Sequence, residues 1–327
     1  MPLAATEPGK TMQQEHIQTG KAIQKRTGKT FYLATRFLPE RVRHATHVLY
    51  AFFRIADEVV DDANGAPPAE QAARLESLRA QALGEQPPED DVLIAFDQLR
   101  DRYDIADREI DVFIDAMKTD IETNRYERYA DLEAYMRGSA ASVGVMMTAI
   151  MEPDEPDLAR PHAVKLGEAF QMTNFLRDVR EDVLERDRIY LPLESLREHG
   201  VDQGAVENLA FSDAFASVMQ SELKRTERLY REGVAGIRYL PKDCQLPVLL
   251  AAVLYAEHHR VIRAQDYDVL NREPSLSPSR KLWCLARTRW HWHWNRDPEA
   301  VFKRVSAVPP SETGQHGPGH GERVPMR

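Results

Sequence analysis

The chain has 327 residues, 43% of them hydrophobic and 29% charged, enough apolar content for a sizeable core under a well-covered surface. Lys and Arg number 43 against 52 Asp and Glu, a net charge of −9, which argues against a nucleic-acid partner. Two cysteines, Cys244 and Cys284, form no CxxC pair or disulfide framework and fit a reducing compartment.

The first ten residues, MPLAATEPGK, lack the charged-then-apolar build of a signal peptide. Helical periodicity then dominates, and strand alternation is nearly absent. It predicts helices over about 11–26, 40–63, 68–83, 90–101, 107–123, 131–151, 160–186, 211–239, 243–268 and 278–304. Breakers separate them: NGAPPAE at 64–70, GEQPPEDD at 84–91, EPDEP at 152–156 and REPSLSPS at 272–279. The expected architecture is one all-α domain over 1–304, followed by a disordered tail over 305–327. The longest apolar runs, VGVMMTAIM and LPVLLAAVLYA, are far short of the roughly 18 residues that a membrane-spanning helix needs. A cytoplasmic protein is expected, with peripheral contact at the inner membrane face left open.

Several familiar sites fail. TGKT at 27–30 ends like a phosphate loop, but Ile23 stands where the first glycine is required. No glycine-rich dinucleotide fingerprint follows a strand, so no nicotinamide is expected. There is no HExxH, and HWHWN at 291–295 puts its histidines on different helix faces, which reads as packing or surface.

What stands out is RIADEVVDD, Arg54 to Asp62. At 100° per residue, Tyr50, Arg54, Asp57 and Asp61 fall within about 60° of one another, although like charges four apart repel by roughly 0.2–0.5 kcal/mol. QMTNFLRDVRED forms a second stripe, with Gln171, Asn174, Asp178 and Asp182 within about 80°. Two such helices facing each other would concentrate four carboxylates, a costly arrangement unless cations fill it. All-oxygen ligands without His or Cys suit Mg²⁺, with Mn²⁺ as an alternative, and leave positions open for a diphosphate. Arg54, Arg177 and Lys29 are candidate diphosphate partners; the alternative for Arg177 and Arg180 is a plain salt bridge to their acidic neighbours. The small residues of YMRGSAASVG, 135–144, have two readings: close helix packing, or room for a long apolar ligand.

Together, TGKTFYLATRFLPE, LYAFFRIADEVVDD, YMRGSAASVG and QMTNFLRDVREDVLERDRIYLP resemble the squalene/phytoene synthase family over roughly 14–290. YMRGSA is similar to prokaryotic phytoene synthases, archaeal ones included, rather than to the squalene enzymes. The resemblance implies an isoprenoid-synthase helical fold with a central cavity between two Asp-rich helices. It also implies Mg²⁺-dependent head-to-head joining of two prenyl diphosphates. With geranylgeranyl diphosphate this passes through a cyclopropyl diphosphate to phytoene, a step of carotenoid biosynthesis. On this likeness Asp57, Asp61, Asn174, Asp178 and Asp182 hold metal, and Tyr50, Arg54, Gln171 and Arg177 line the site. Lys29 and Thr30 match the phosphate-contacting Ser-Lys-Ser segment, Tyr135 and Tyr190 are site tyrosines, and Tyr267 is a further diphosphate contact. One departure is Gly28, which removes a hydroxyl from that segment. Two alternatives remain: a squalene or dehydrosqualene synthase using farnesyl diphosphate, and a non-catalytic relative acting as an assembly factor, in which the aspartates should be eroded. Chain length, oligomeric state and membrane recruitment are not fixed by these residues.

Overall fold

The structure is a computed structural model and describes residues 33–61 and 65–310. The helix expected over 11–26 and the Thr27–Thr30 segment lie outside the described residues. Within them the chain is helical, with no strand and a single isolated bridge between Arg125 and Ile189.

The helices are α1 (Glu40–Val60), α2 (Pro68–Ala82), α3 (Asp91–Tyr103), α4 (Asp107–Glu122), α5 (Tyr129–Met136) and α6 (Ser142–Met151). They continue as α7 (Pro156–Arg177), α8 (Val179–Arg186), α9 (Leu193–Glu198), α10 (Gln203–Glu207), α11 (Asp213–Ala235), α12 (Lys242–Ala264), α13 (Pro278–Trp294) and α14 (Pro298–Val305). A π-helical turn, Arg137–Ala141, joins α5 to α6, and a 3₁₀ turn, Gly236–Tyr239, follows α11.

Local chemistry explains the boundaries. Asp90 caps α3 by accepting from the Leu93 amide at 2.8 Å, and Ser212 caps α11 through the Phe215 amide at 3.2 Å. The predicted helix over 278–304 is two helices, because Asp297 caps a new start with Pro298 as its first residue. Similarly, the stretch predicted over 160–186 opens earlier, at Pro156, and breaks at Asp178, whose φ of −102° and ψ of 14° are not helical. The short helices α9 and α10 carry too few residues for a periodic signal and are not among the predicted elements.

The largest core cluster includes Phe52 of α1, Phe96 of α3 and Phe113 of α4, with Phe52 and Phe96 stacked at 3.9 Å. A second cluster gathers Leu176, Val179, Leu196, Val206, Phe215 and Ile262 where α8–α10 pack on α11 and α12. Helix α7 is central and packs on α6, α11 and α12. Its backbone approaches its neighbours closely: a Cβ on Gly167 would meet the Ala140 carbonyl oxygen at 2.6 Å, and one on Gly233 the Leu166 Cα at 2.7 Å. The packed body runs on past residue 304. Val305 and Val308 are buried, and the Pro309 carbonyl accepts from Arg231 at 2.8 Å.

Candidate active site

The helices enclose a cavity of about 960 Å³, near the upper end of the roughly 300–1,000 Å³ found for ligand pockets. From α1 it takes Tyr50, Phe53, Arg54 and Asp57, and from α7 and its C-terminal edge Gln171, Asn174, Arg177 and Asp178. Much of the remaining wall is apolar, built by residues such as Leu49, Met147, Met151, Leu166, Phe170 and Leu240. The cavity wall therefore combines hard oxygen and guanidinium groups with hydrocarbon.

From the 135–151 segment, which carries the π turn, the wall takes Ser139, Ala140, Val143, Gly144, Met147, Thr148 and Met151. Gly138 instead serves packing: a Cβ there would stand 2.1 Å from the Val112 carbonyl oxygen. Ser142 is fully buried and donates back to the Gly138 carbonyl. Gly138 and Ser142 are thus taken up by packing, while Ser139 lines the cavity. Ser139 Oγ is buried without a hydrogen-bond partner.

The two aspartate stripes meet through an arginine. Arg186, at the end of α8, reaches Asp182 at 3.2 Å and Asp61 at 4.0 Å, so a guanidinium stands between carboxylates of both stripes. Arg54 lies 3.6 Å from Asp57, and Arg177 Nε donates to Asp178 at 2.6 Å. Among the described residues no three His, Cys, Asp or Glu side chains converge as a ready metal cage.

Burial, more than the neighbouring charges, sets the electrostatics of these carboxyls. Burial pushes the Asp57 carboxyl up to about 7; Arg54 opposes this, and the neighbouring Asp61 and Asp120 add to it. Burial likewise pushes Asp182 up to about 7 against the pull of Arg186, with Asp178 and Glu181 adding repulsion. Asp57, Asn174 and Asp178 present only oxygen donors on the cavity wall, the donor type that suits a hard divalent cation.

Asp61 and Asp182 do not line the cavity; they face a second polar cluster behind it. There Asp120 accepts from Tyr135 Oη at 2.6 Å and more weakly from Tyr190 Oη at 3.5 Å. Arg188 donates to the Asp120 carbonyl at 3.0 Å and lies 3.5 Å from the Asp61 carboxylate. Burial raises Asp120 to about 6, opposed by Arg188 and the Tyr135 hydrogen bond. The rings of Tyr126, Tyr135, Phe175 and Tyr190 stack behind it, Phe175 and Tyr190 at 4.0 Å. Tyr135 and Tyr190 are therefore placed to hold Asp120, and through Arg188 the orientation of Asp61.

Tyr267 lies elsewhere. It has a left-handed φ of 65° and lines a small separate pocket with Leu223, Lys224, Glu227 and Arg263. Sequence reasoning missed Tyr255, His258 and Lys281, all of which line the cavity, as well as Asp120. Tyr255 stacks on Phe170 at 4.6 Å, and burial raises its hydroxyl to about 12. His258 is held neutral, its pKa lowered to about 3 by burial and by Arg177. These residues sit on α12 and α13 without acidic pairing or motif spacing. The one available signal was the apolar face of α12, which reads as ordinary core.

Comparison with known proteins decides the family. The squalene/phytoene synthase model matches residues 24–280. The chain belongs to the squalene/phytoene synthase family. Members of this family are enzymes of the prenyltransferase type. The chain is 30% identical over 280 residues to a 15-cis-phytoene synthase of Synechocystis sp., covering 82% of this chain and 83% of the relative. It is 36% identical over 250 residues to a phytoene synthase of Thermus thermophilus, covering 76% and 83% respectively. A crystal structure of a dehydrosqualene synthase in complex with a ligand superposes with a TM-score of 0.78 at 28% identity, covering 86% of this chain and 98% of that one. This likeness fits the all-α isoprenoid-synthase fold expected from the family resemblance.

Proposed function

We propose that the protein joins two molecules of geranylgeranyl diphosphate head to head and releases phytoene, with Mg²⁺ and without a nicotinamide. The observation that carries this reading is a single cavity whose wall includes Asp57, Asn174 and Asp178 together with apolar residues such as Met147, Met151 and Leu240. A diphosphate needs the first set and a long prenyl chain needs the second. The similarity to phytoene synthases at 30–36% identity supports the twenty-carbon substrate.

A divalent cation bound through Asp57, Asn174 and Asp178 on the cavity wall, with Asp61 and Asp182 one turn further on adding negative charge, would supply charge neutralisation for a departing diphosphate. The chain's own residues do the rest. Arg54, Arg177 and Lys281 are the cavity-wall cations that bind diphosphate oxygens. Tyr50, Phe53, Phe170 and Tyr255 provide aromatic rings in the same cavity for the allylic cation left behind. The acceptor's double bond attacks that cation, and loss of a proton closes the cyclopropyl diphosphate. The second diphosphate then leaves, the skeleton rearranges, and a second proton is lost, so no reductant enters the balance. The apolar wall holds both chains and excludes water, which would otherwise quench the cation to an alcohol.

Farnesyl diphosphate is the competing substrate, supported by the likeness to the dehydrosqualene synthase. One experiment separates the two. Purified protein is incubated with fifteen- or twenty-carbon prenyl diphosphate and Mg²⁺, with and without NADPH, and products are read by mass spectrometry. The proposal expects phytoene from the twenty-carbon substrate alone, independent of NADPH. Exclusive use of the fifteen-carbon substrate, a reduced product, or no product from either would overturn it.

A further inference from the structure

All four tryptophans of the chain, Trp283, Trp290, Trp292 and Trp294, fall within twelve residues on α13. Only Trp292 is buried; with Cys284 and Thr288 it forms the face that packs on the body. On the opposite side Leu282, Ala286, Trp290 and Trp294 recur every fourth residue, a stripe about 120° wide. Leu282, Trp290 and Trp294 are 68%, 65% and 71% exposed, and Trp283 beside them is 42% exposed. Large apolar side chains in a row at such exposure form a patch that needs an occupant.

The charge on the same helix identifies the class of occupant. Helix α13 carries Arg280, Lys281, Arg287 and Arg289 and no acidic residue, in a chain of net charge −9. Arg280 lies over the Trp283 ring at 4.1 Å and Arg287 over the same ring at 4.8 Å, while Arg289 is exposed at the edge of the stripe. Arg280 is also held by the buried Glu257 at 2.7 Å. On the adjoining α14, Asp297 and Glu299 face Arg238. Exposed tryptophan and leucine along one face, interleaved with arginine and free of acids, is the composition of a helix lying in a lipid headgroup layer.

We infer that α13 docks the protein peripherally onto an anionic lipid bilayer, with Leu282, Trp290 and Trp294 entering the headgroup region and Arg289 meeting lipid phosphates. Lys281 and the preceding Glu273, Pro274, Ser275 and Leu276 line the cavity. The bilayer would therefore lie about one helix diameter, roughly 10 Å, from the cavity wall. Docking is read from the helix surface alone and is independent of the reaction assigned to the cavity.

Because every tryptophan is on α13, tryptophan fluorescence of the full chain, excited selectively over its 11 tyrosines, reports on this helix. The probe is vesicles of phosphatidylcholine with or without phosphatidylglycerol. Anionic vesicles should shift the emission to shorter wavelength, and brominated acyl chains should quench it. Neutral vesicles should bind roughly tenfold more weakly or less, and salt should weaken the anionic binding. Trp290→Ala with Trp294→Ala should lose roughly tenfold in vesicle affinity. Arg289→Glu, which keeps all four tryptophans, should weaken binding to anionic vesicles only. Both variants should keep the wild-type circular dichroism, since these side chains are exposed. Equal binding to neutral vesicles, or no shift and no co-sedimentation with either kind, would overturn the inference. So would an emission shift that grows with protein concentration in the absence of lipid, which would assign the face to a second copy.

Discussion

Replacing Asp182 by Asn tests whether the second aspartate stripe is held in the fold at a cost. Asp182 is 8% exposed, and burial pushes its carboxyl up to about 7, against about 3.9 in an unfolded chain. At 1.36 kcal/mol per unit that difference amounts to about 4 kcal/mol at full value, and relaxation around the carboxyl brings it to about 1–3 kcal/mol. The sign follows from proton counting. Between about pH 4 and 7 the folded state keeps a proton that the unfolded state has already released, so stability falls as pH rises through that window and is flat above it. The Asn variant has no such penalty. Its partner is not stranded either, because Arg186 retains Glu181 at 3.0 Å. Melting curves by circular dichroism in EDTA, taken from pH 4.5 to 8.5, should show the variant's Tm gaining on wild type as pH rises. The gap should reach a plateau of about 2–4 °C above pH 7, using an unfolding entropy of about 2.1 cal/mol/K per residue. Mg²⁺ should then raise the wild-type Tm more than the variant's, because the ligand stabilises only the state that binds it. A gap that stays flat with pH, or a variant less stable than wild type at pH 8, would refute the reasoning and make Asp182 a plain salt-bridge residue.

Other consequences can be checked directly. Asp57→Asn and Asp178→Asn should each abolish turnover, measured by product mass spectrometry, while leaving helical circular dichroism intact. Mg²⁺ and a non-hydrolysable prenyl diphosphate should bind with positive, reciprocal coupling in calorimetry, since each completes the surroundings of the other. Val143→Phe projects into the cavity wall; it should shift substrate preference from twenty to fifteen carbons in competition assays, with a stability loss of about 1–3 kcal/mol. Gly138→Ala drives a methyl group to within 2.1 Å of the Val112 carbonyl oxygen, and should lower stability in urea titration by roughly 2–3 kcal/mol without changing which chain length is preferred.

What the sequence made legible, and what it did not, divides along a physical line. Periodicity is a property of one helix at a time, so the stripes Tyr50–Arg54–Asp57–Asp61 and Gln171–Asn174–Asp178–Asp182 could be read as faces before any fold was known. Which atoms those faces meet is a property of pairs of helices, and there sequence spacing is silent. It could not show that Arg186 would stand between Asp61 and Asp182, or that Asp57 and Asp178 alone of the four would reach the cavity. The segment Arg137–Ala141 is the sharpest case. A count at 100° per residue puts Gly138, Ser139 and Ser142 on one face, but of the three only Ser139 lines the cavity, with Ala140 and Val143, while Gly138 is closed off by the Val112 carbonyl. Asp120 was missed for a related reason: it belongs to no acidic stripe with motif spacing, and its meaning comes from Tyr135, Tyr190 and Arg188, which lie 15 to 70 residues away. The same logic separates the two kinds of tryptophan on α13. HWHWN read alone allowed packing or surface; the structure gives Trp292 to packing and Trp290 and Trp294 to the surface. A helix face can be counted from the chain, but whether that face is buried against protein or left for another phase is decided by its neighbours.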